Sequence, residues 1–292
     1  MLRADSFWEF MLAREAIRLR RLDGAPREEW TTDPILRDYS FTNVKREHDR
    51  TTALLIGDFY SQRKKNHASR VALLNAAIFR YFGTIESARA LGWHDFWNAE
   101  LREKMDRKNA VRMASGERIF TAAYIIPSCG MIEPKHEVVS HIITGIWDCA
   151  ELILDTNSWA EACARMKGLW GVGSFMAKEV LLDYILITDW KPDDWDTWTP
   201  VGPGGRRGAG IVKYDVMGGI PEWEALEVIR ELYAMRNIEW PDDMVNLDIT
   251  DIQFQLCEFA KYEKARHQFG RPKRRFRPTI DSITKGAKHV EQ

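Results

Sequence analysis

The 292-residue chain carries 42 Lys and Arg against 43 Asp and Glu, and its 45% apolar and 29% charged residues fit a folded globular protein rather than a disordered one. No apolar run approaches the roughly 20 residues that cross a bilayer, and the amphipathic start with acids among its bases is unlike a signal peptide, so a cytoplasmic location is expected. Four cysteines without Cys-x-x-Cys spacing, and histidines without a His-Glu-x-x-His pattern, predict neither disulfides nor a structural metal.

In chain order the sequence reads as helix after helix. "SFWEFMLAREAIRLRRL" opens on a capping box, Ser6 with Glu9, and repeats apolar residues at helical spacing until Asp23-Gly24 stops it. A second helix is expected from about Asn43 to Gln62 and a third from Asn66 to Phe82, which Gly83 ends. Shorter helices follow at 84–91 and 94–108, while "GERIFTAAYIIPSCG" fits a short strand or a buried helical turn equally well. Helices are expected again at 135–154, 158–166, 174–187, 221–236 and 248–267. Alternating strand patterns are nearly absent, so the fold class is mostly α.

Three features carry chemistry. Between the helices at 158–166 and 174–187, "KGLWGVGS" forms a glycine hairpin. The pattern Leu169-x-Gly171-x-Gly173 resembles the helix-hairpin-helix DNA-binding motif, in which backbone N–H groups at the second helix's start meet a DNA phosphate. On that reading Gly171, Gly173 and Ser174 touch the backbone, and Lys167 and Lys178 add charge; a plain αα-hairpin is the alternative. In glycosylases with this motif the catalytic aspartate lies beyond the second helix, a place held here by Asp193, Asp194 and Asp196. The lysine of lyase-type glycosylases is missing, since Ser174 and Phe175 stand where it is expected.

Next, "WTPVGPGGRRGAG" holds five glycines, two prolines and two arginines in 13 positions. It reads as a loop in which Gly202, Gly204 and Gly205 bring backbone N–H groups near a ligand, and Arg206 and Arg207 offer forks to phosphate oxygens; a surface turn is the bland alternative. No Gly-x4-Gly-Lys-Ser/Thr accompanies it, so it is not a P-loop. Last, Asn43, Arg46, Glu47 and Arg50 recur at helical spacing and would share one face, and Glu258, Lys261 and Tyr262 do so on the last long helix, although Lys261 also fits a snorkelling surface lysine. His136 and His141 are five apart, on different helix faces, and read as surface or satisfied core residues rather than a metal pair. From Lys261 to Arg277 eight Lys or Arg face one Glu, and Arg271, Lys273, Arg274 and Arg275 form a basic stretch suited to a polyanion.

"DPILRDYSFTNVKREHDRTTALL", "GPGGRRG" and "ITDIQFQLCEFAKYEKARHQFGRPKRRF" together resemble a helical family found with bacteriophage thymine-hypermodification genes. Its members are named α-glutamyl/putrescinyl thymine pyrophosphorylases or amino acid:DNA transferases, and it includes the helical domain associated with 5-hydroxymethyldeoxyuridine DNA kinases. The resemblance runs from about Phe7 to Phe276 and implies a helix-hairpin-helix DNA glycosylase-like fold. Two helical lobes around a cleft would span residues 1–270, with the hairpin at about 158–187 and a basic tail at 271–292. It also implies double-stranded DNA bearing a modified thymine as substrate, in a phage-infected bacterium, with no membrane partner. The amine of an amino acid or polyamine would replace the pyrophosphate of 5-pyrophosphoryloxymethyl-uracil, with or without a divalent cation.

On that expectation Gly202, Gly204, Gly205, Arg206 and Arg207 bind pyrophosphate, Asp194 or Asp196 keeps the amine neutral, Asn43 meets the uracil edge, Arg46 or Arg50 takes an anion, and Glu47, Glu258, Lys261 and Tyr262 border the pocket. A protein working beside a hydroxymethyluracil DNA kinase, a glycosylase and a non-catalytic DNA scaffold remain the alternatives.

Overall fold

A computed structural model describes residues 3–60, 70–121, 125–188, 190–236, 246–269 and 275–276. Its α-helices are α1 (Ala4–Leu22), α2 (Pro34–Asp38), α3 (Arg50–Leu54), α4 (Arg70–Phe82), α5 (Ile85–Leu91), α6 (Ala99–Ala114), α7 (Lys135–Asp148), α8 (Ala150–Leu154), α9 (Trp159–Lys167), α10 (Ser174–Leu186), α11 (Pro203–Tyr214), α12 (Glu222–Ala234) and α13 (Ile249–Arg266). Among the described residues extended pairing is limited to one bridge between Tyr39 and Arg275, so the chain is all-α. None of these helices is long and apolar enough to cross a membrane. Contacts divide the chain into two compact units, Met1–Asp49 with Val201–Gln292, and Arg50–Pro200.

The first unit is built on α13, whose start is fixed by a reciprocal cap: Asp248 accepts from the Asp251 N–H and Asp251 from the Asp248 N–H. Phe7 and Phe10 of α1 pack on Phe259, ring centroids 5.7 and 5.5 Å away. α1 begins at Ala4 with no side-chain cap, two residues before the expected box at Ser6. Phe276 is tied back to this unit: its N–H donates to the Asp38 carbonyl at 2.9 Å and its ring meets Trp30 edge-on at 5.0 Å. The expected basic tail is therefore anchored at Arg275 and Phe276, while Arg271, Lys273 and Arg274 lie outside the described residues.

α11 corrects the reading of "GPGGRRGAG" as a loop. Pro203 at the first helical position and Gly202 as its cap start a helix, and the glycines serve close packing. A methyl group built at Gly208 would fall 2.7 Å from the Leu256 carbonyl carbon and 2.9 Å from its Cβ; one at Gly204 would fall 2.9 Å from the Cys257 sulfur. α11 thus rests on the backbone of α13, a separation that any larger residue forbids.

The second unit centres on α4, whose residues from Ala72 to Phe82 are all buried. Arg80 reaches α10, giving its Nε–H to Asp183 Oδ2 at 2.7 Å and pairing with Glu179 at 3.2 Å, all three side chains buried. Losing one partner of such a buried network costs about 3–5 kcal/mol, because the remaining charge is stranded. The described parts of "GERIFTAAYIIPSCG" form neither strand nor helix.

Candidate functional site

In the first unit, residues 33–49 are strapped along one face of α13. The helix from Asn43 to Gln62 does not form there; the chain makes a 3-10 turn at Arg46–His48, and α3 begins only at Arg50. Polar side chains compete with the helix. Asn43 gives its amide Nδ2 to the His48 carbonyl at 2.7 Å and its N–H to Asp49 Oδ1 at 2.8 Å, and Arg46 pairs with Asp49 at 2.8 Å. Asn43, Arg46, Glu47 and Arg50 therefore do not share a helix face: Asn43 and Arg46 hold the turn, Glu47 is exposed, and Arg50 belongs to the other unit.

α13 presents Asp251, Gln255, Glu258 and Tyr262 at spacings of four, three and four, a single stripe. Asp251 accepts the Arg46 N–H at 2.9 Å, Gln255 Nε2 donates to the Asn43 carbonyl at 2.7 Å, and the Tyr262 hydroxyl donates to Asp33 at 2.6 Å. Lys261, beside the stripe, donates to the Ser40 carbonyl at 2.9 Å and pairs with Glu258 at 2.5 Å. Burial, then the neighbouring Asp248, hold the Asp251 carboxyl well above the usual range, and burial with the Asp33 hydrogen bond does the same to the Tyr262 phenol.

Arg14 of α1 completes this cluster and is not among the residues that the sequence singles out. It is 8% exposed, lies over Phe41 at 4.6 Å and donates to the Thr42 carbonyl. Burial lowers its guanidinium to about 10 against the opposing pull of Glu258 and Asp49. A signal was present: Phe7, Phe10, Met11, Arg14 and Ile17 follow the buried stripe of α1, so Arg14 is a charge on an apolar face. Gln255, fully buried, was missed for want of that partner. Arg14 Nη1 and Gln255 Oε1 have no hydrogen-bond partner in the protein although both are buried. A donor and an acceptor are thus left open beside the Glu258 carboxylate.

The α11 arginines stand apart from this cluster. Gly204 and Gly205 meet Cys257 and Gln253, which lie on the side of α13 opposite the Gln255 and Glu258 stripe. Arg206 is spent on the Ile220 carbonyl at 2.6 Å, and Arg207 is exposed. The expected clamp of Gly202, Gly204, Gly205, Arg206 and Arg207 is therefore not joined by α13 to the Gln255 and Glu258 stripe.

In the second unit α9 and α10 are joined by Gly168–Gly173. Gly171 has φ +76°, and its α-carbon faces Ile142 and Cys129, where an added methyl would fall 2.7 Å from Ile142 Cγ1. Gly173 and Ser174 are exposed at the start of α10, which has no side-chain cap, and Lys167 is exposed beside them. Lys178 is 5% exposed and buried in the unit, so its expected contact with DNA phosphate is excluded. The rings of Trp170 and Phe175 are half-exposed on either side of the hairpin. Asp194 is consumed as a helix cap: its oxygens accept from the Ser158 hydroxyl at 2.8 Å and from the Trp159 and Ala160 N–H groups at 2.6 and 3.0 Å. That use contradicts a general-base role, and Asp196 is exposed.

The sequence matches the family described as "5-hmdU DNA kinase, helical domain" over residues 2–271. A curated relative, the 5-hmdU DNA kinase of Bacillus phage SP10, is 27% identical over 285 residues, an alignment covering 88% of this chain and 44% of the relative. The chain thus spans less than half the length of that kinase, and no solved structure matches it. The protein belongs to the family of the 5-hmdU DNA kinase helical domain.

Proposed function

We propose that this protein acts in phage thymine hypermodification on DNA containing a base derived from 5-hydroxymethyluracil, replacing pyrophosphate on its exocyclic methylene with the amine of an amino acid or polyamine. The observation that carries the reading is that two buried polar groups of the first unit, Arg14 Nη1 on α1 and Gln255 Oε1 on α13, have no hydrogen-bond partner in the protein. A uracil edge offers an N3–H beside carbonyl oxygens, and Gln255 Oε1 can accept the first while Arg14 Nη1 donates to the second. A base reaches such buried atoms only when extruded from the duplex.

In the reaction the methylene C–O bond breaks, pyrophosphate leaves with the electron pair, and a C–N bond forms as the amine nitrogen gives up a proton. Glu258 takes that proton, and Lys261 beside it stabilises the charge growing on the leaving group. In the second unit Lys167 and the N–H groups at the start of α10 hold the DNA backbone without reading sequence.

The test is nucleoside mass spectrometry of DNA bearing 5-pyrophosphoryloxymethyl-uracil after incubation with the protein and a mixture of amino acids and polyamines. A new aminated nucleoside supports the transferase and gives the donor by its mass. A second reading is favoured by the family match to a kinase's helical domain: the chain binds the modified base while another protein supplies phosphoryl transfer. Unchanged nucleosides, with tighter binding to 5-hydroxymethyluracil DNA than to thymine DNA, would select it.

A further inference from the structure

Arg14 Nη1 and Gln255 Oε1 are buried so fully that no ligand reaches them while residues 33–49 stay in place. This strap lies against the same side chains: Arg14 donates to the Thr42 carbonyl and lies over Phe41, Gln255 donates to the Asn43 carbonyl, Lys261 to the Ser40 carbonyl, and Tyr262 to Asp33. The bonds run from side chains of α1 and α13, and of residues 33–49 only Leu36 and Val44 are buried. A segment held by polar bonds with so little apolar burial belongs to the low-stability end of a fold, the class from which lids are drawn.

A second anchor for the strap comes from Arg275 and Phe276. Tyr39 and Arg275 form an antiparallel bridge, the Phe276 N–H donates to the Asp38 carbonyl at 2.9 Å, and the Ser40 hydroxyl donates to the Arg275 carbonyl at 3.4 Å. The Phe276 ring sits against Trp30, edge-on at 5.0 Å, and faces the guanidinium groups of Arg21 and Arg27, 4.6 and 5.7 Å from its centroid. Arg27 also donates to the Arg37 carbonyl at 3.1 Å, so the seat of the ring and the strap are one connected piece. A ring held this way adds edge-to-face and cation–π attraction to its burial, and Phe276 is half-buried rather than part of the core.

We infer that residues 33–49 are a lid over Arg14 and Gln255, and that Phe276 is its latch: seated, it keeps the lid shut, and unseated, it lets the lid lift and a ligand reach both side chains. The backbone bonds of Arg275 and Phe276 go to Asp38, Tyr39 and Ser40 of the lid itself, which is what sets a latch apart from a chain end resting on the surface. The inference rests on the proposed function for the purpose of the lid, but it is read without DNA and without turnover, so failure of the transfer assay and failure of the latch are separate results.

The experiment is amide hydrogen exchange of the full chain, read by peptide mass spectrometry, in the parent, Phe276→Ala and Phe276→Tyr, beside arginine labelling with phenylglyoxal mapped in the same way. In Phe276→Ala the amides of residues 33–49 should exchange, and Arg14 should label, at least about tenfold faster than in the parent, while α13 and α10 keep their protection. Phe276→Tyr keeps the ring and should behave like the parent. Phe276→Leu, which keeps apolar volume but loses the cation–π contacts, should show the same pattern at about threefold and keeps the test alive if Phe276→Ala fails to fold. Unchanged exchange in residues 33–49, Arg14 labelling at the parent rate, or acceleration spreading equally through α13 would each overturn the inference.

Discussion

Gly208→Ala separates a ligand-holding loop from a packed helix. A loop glycine with open surroundings tolerates a methyl group, and so does Gly202, which has φ −74° and nothing within 4 Å of an added Cβ. At Gly208 the methyl would sit 2.7 Å from the Leu256 carbonyl carbon, roughly 0.8 Å inside the closest comfortable carbon contact of about 3.5 Å. The obstacle is backbone in the middle of α13, so no rotamer change relieves it, and α11 must lift away from its partner. Overpacking of this kind costs about 1–3 kcal/mol where side chains can yield, and about 3 kcal/mol or more is expected where they cannot. Thermal unfolding followed by circular dichroism should show the first unit's transition lowered by about 6–12 °C in Gly208→Ala. Gly202→Ala should stay within about 2 °C of the parent. Equal melting of the two variants would refute the packing argument and return the segment to a loop.

Glu258→Gln should reduce amine transfer by roughly 10²–10⁴-fold with DNA affinity unchanged, measured by single-turnover nucleoside analysis; full turnover would remove Glu258 as the base. Asp194→Ala should lower stability by about 1–2 kcal/mol in chemical denaturation while activity per folded molecule persists, because it removes a cap and not a base. Asp251 has a folded-state pKa raised above its unfolded value, so its contribution to stability is complete below about pH 4 and is lost as pH rises through the raised value. The melting temperature of the parent should therefore fall more steeply with rising pH than that of Asp251→Asn, and equal slopes would exclude Asp251 as the cause. Burial raises the Cys163 thiol to about 12, so in the native protein at pH 8 a thiol reagent should label the half-buried Cys129 well before Cys163, with label positions read by peptide mass spectrometry.

The helices legible in the sequence are those whose apolar spacing drives burial: α1, α4, α5, α9, α10, α12 and α13 lie within a few residues of their expected bounds. Two segments were misread for opposite reasons. Residues 43–49 have helical spacing, yet Asn43 and Asp49 satisfy the local backbone with their own side chains, and that local bonding wins over periodicity. Residues 203–214 have poor helix propensity, about 1 kcal/mol per glycine, yet the missing side chains permit the close approach to α13 that offsets it. Propensity is a local quantity and the compensation is tertiary, so no reading of that stretch alone recovers it. The hairpin glycines were legible because Gly171 needs its positive φ for a local turn. Lys178 was not, because its sequence neighbours do not reveal which side of α10 is covered.

The same physics links the misread helix to the candidate site. Gln253, Leu256 and Cys257 face α11, while Asp251, Gln255, Glu258 and Tyr262 face the strapped segment 33–49, so α13 is gripped on opposite sides. Glycine contacts on one side are made by backbone and leave the axis of α13 little freedom to roll. That rigidity is what an open donor and acceptor pair requires, since hydrogen bonding to a planar base edge weakens steeply with misalignment. The glycines read in the sequence as ligand contacts would then serve a ligand indirectly, by fixing the helix that carries Gln255 and Glu258.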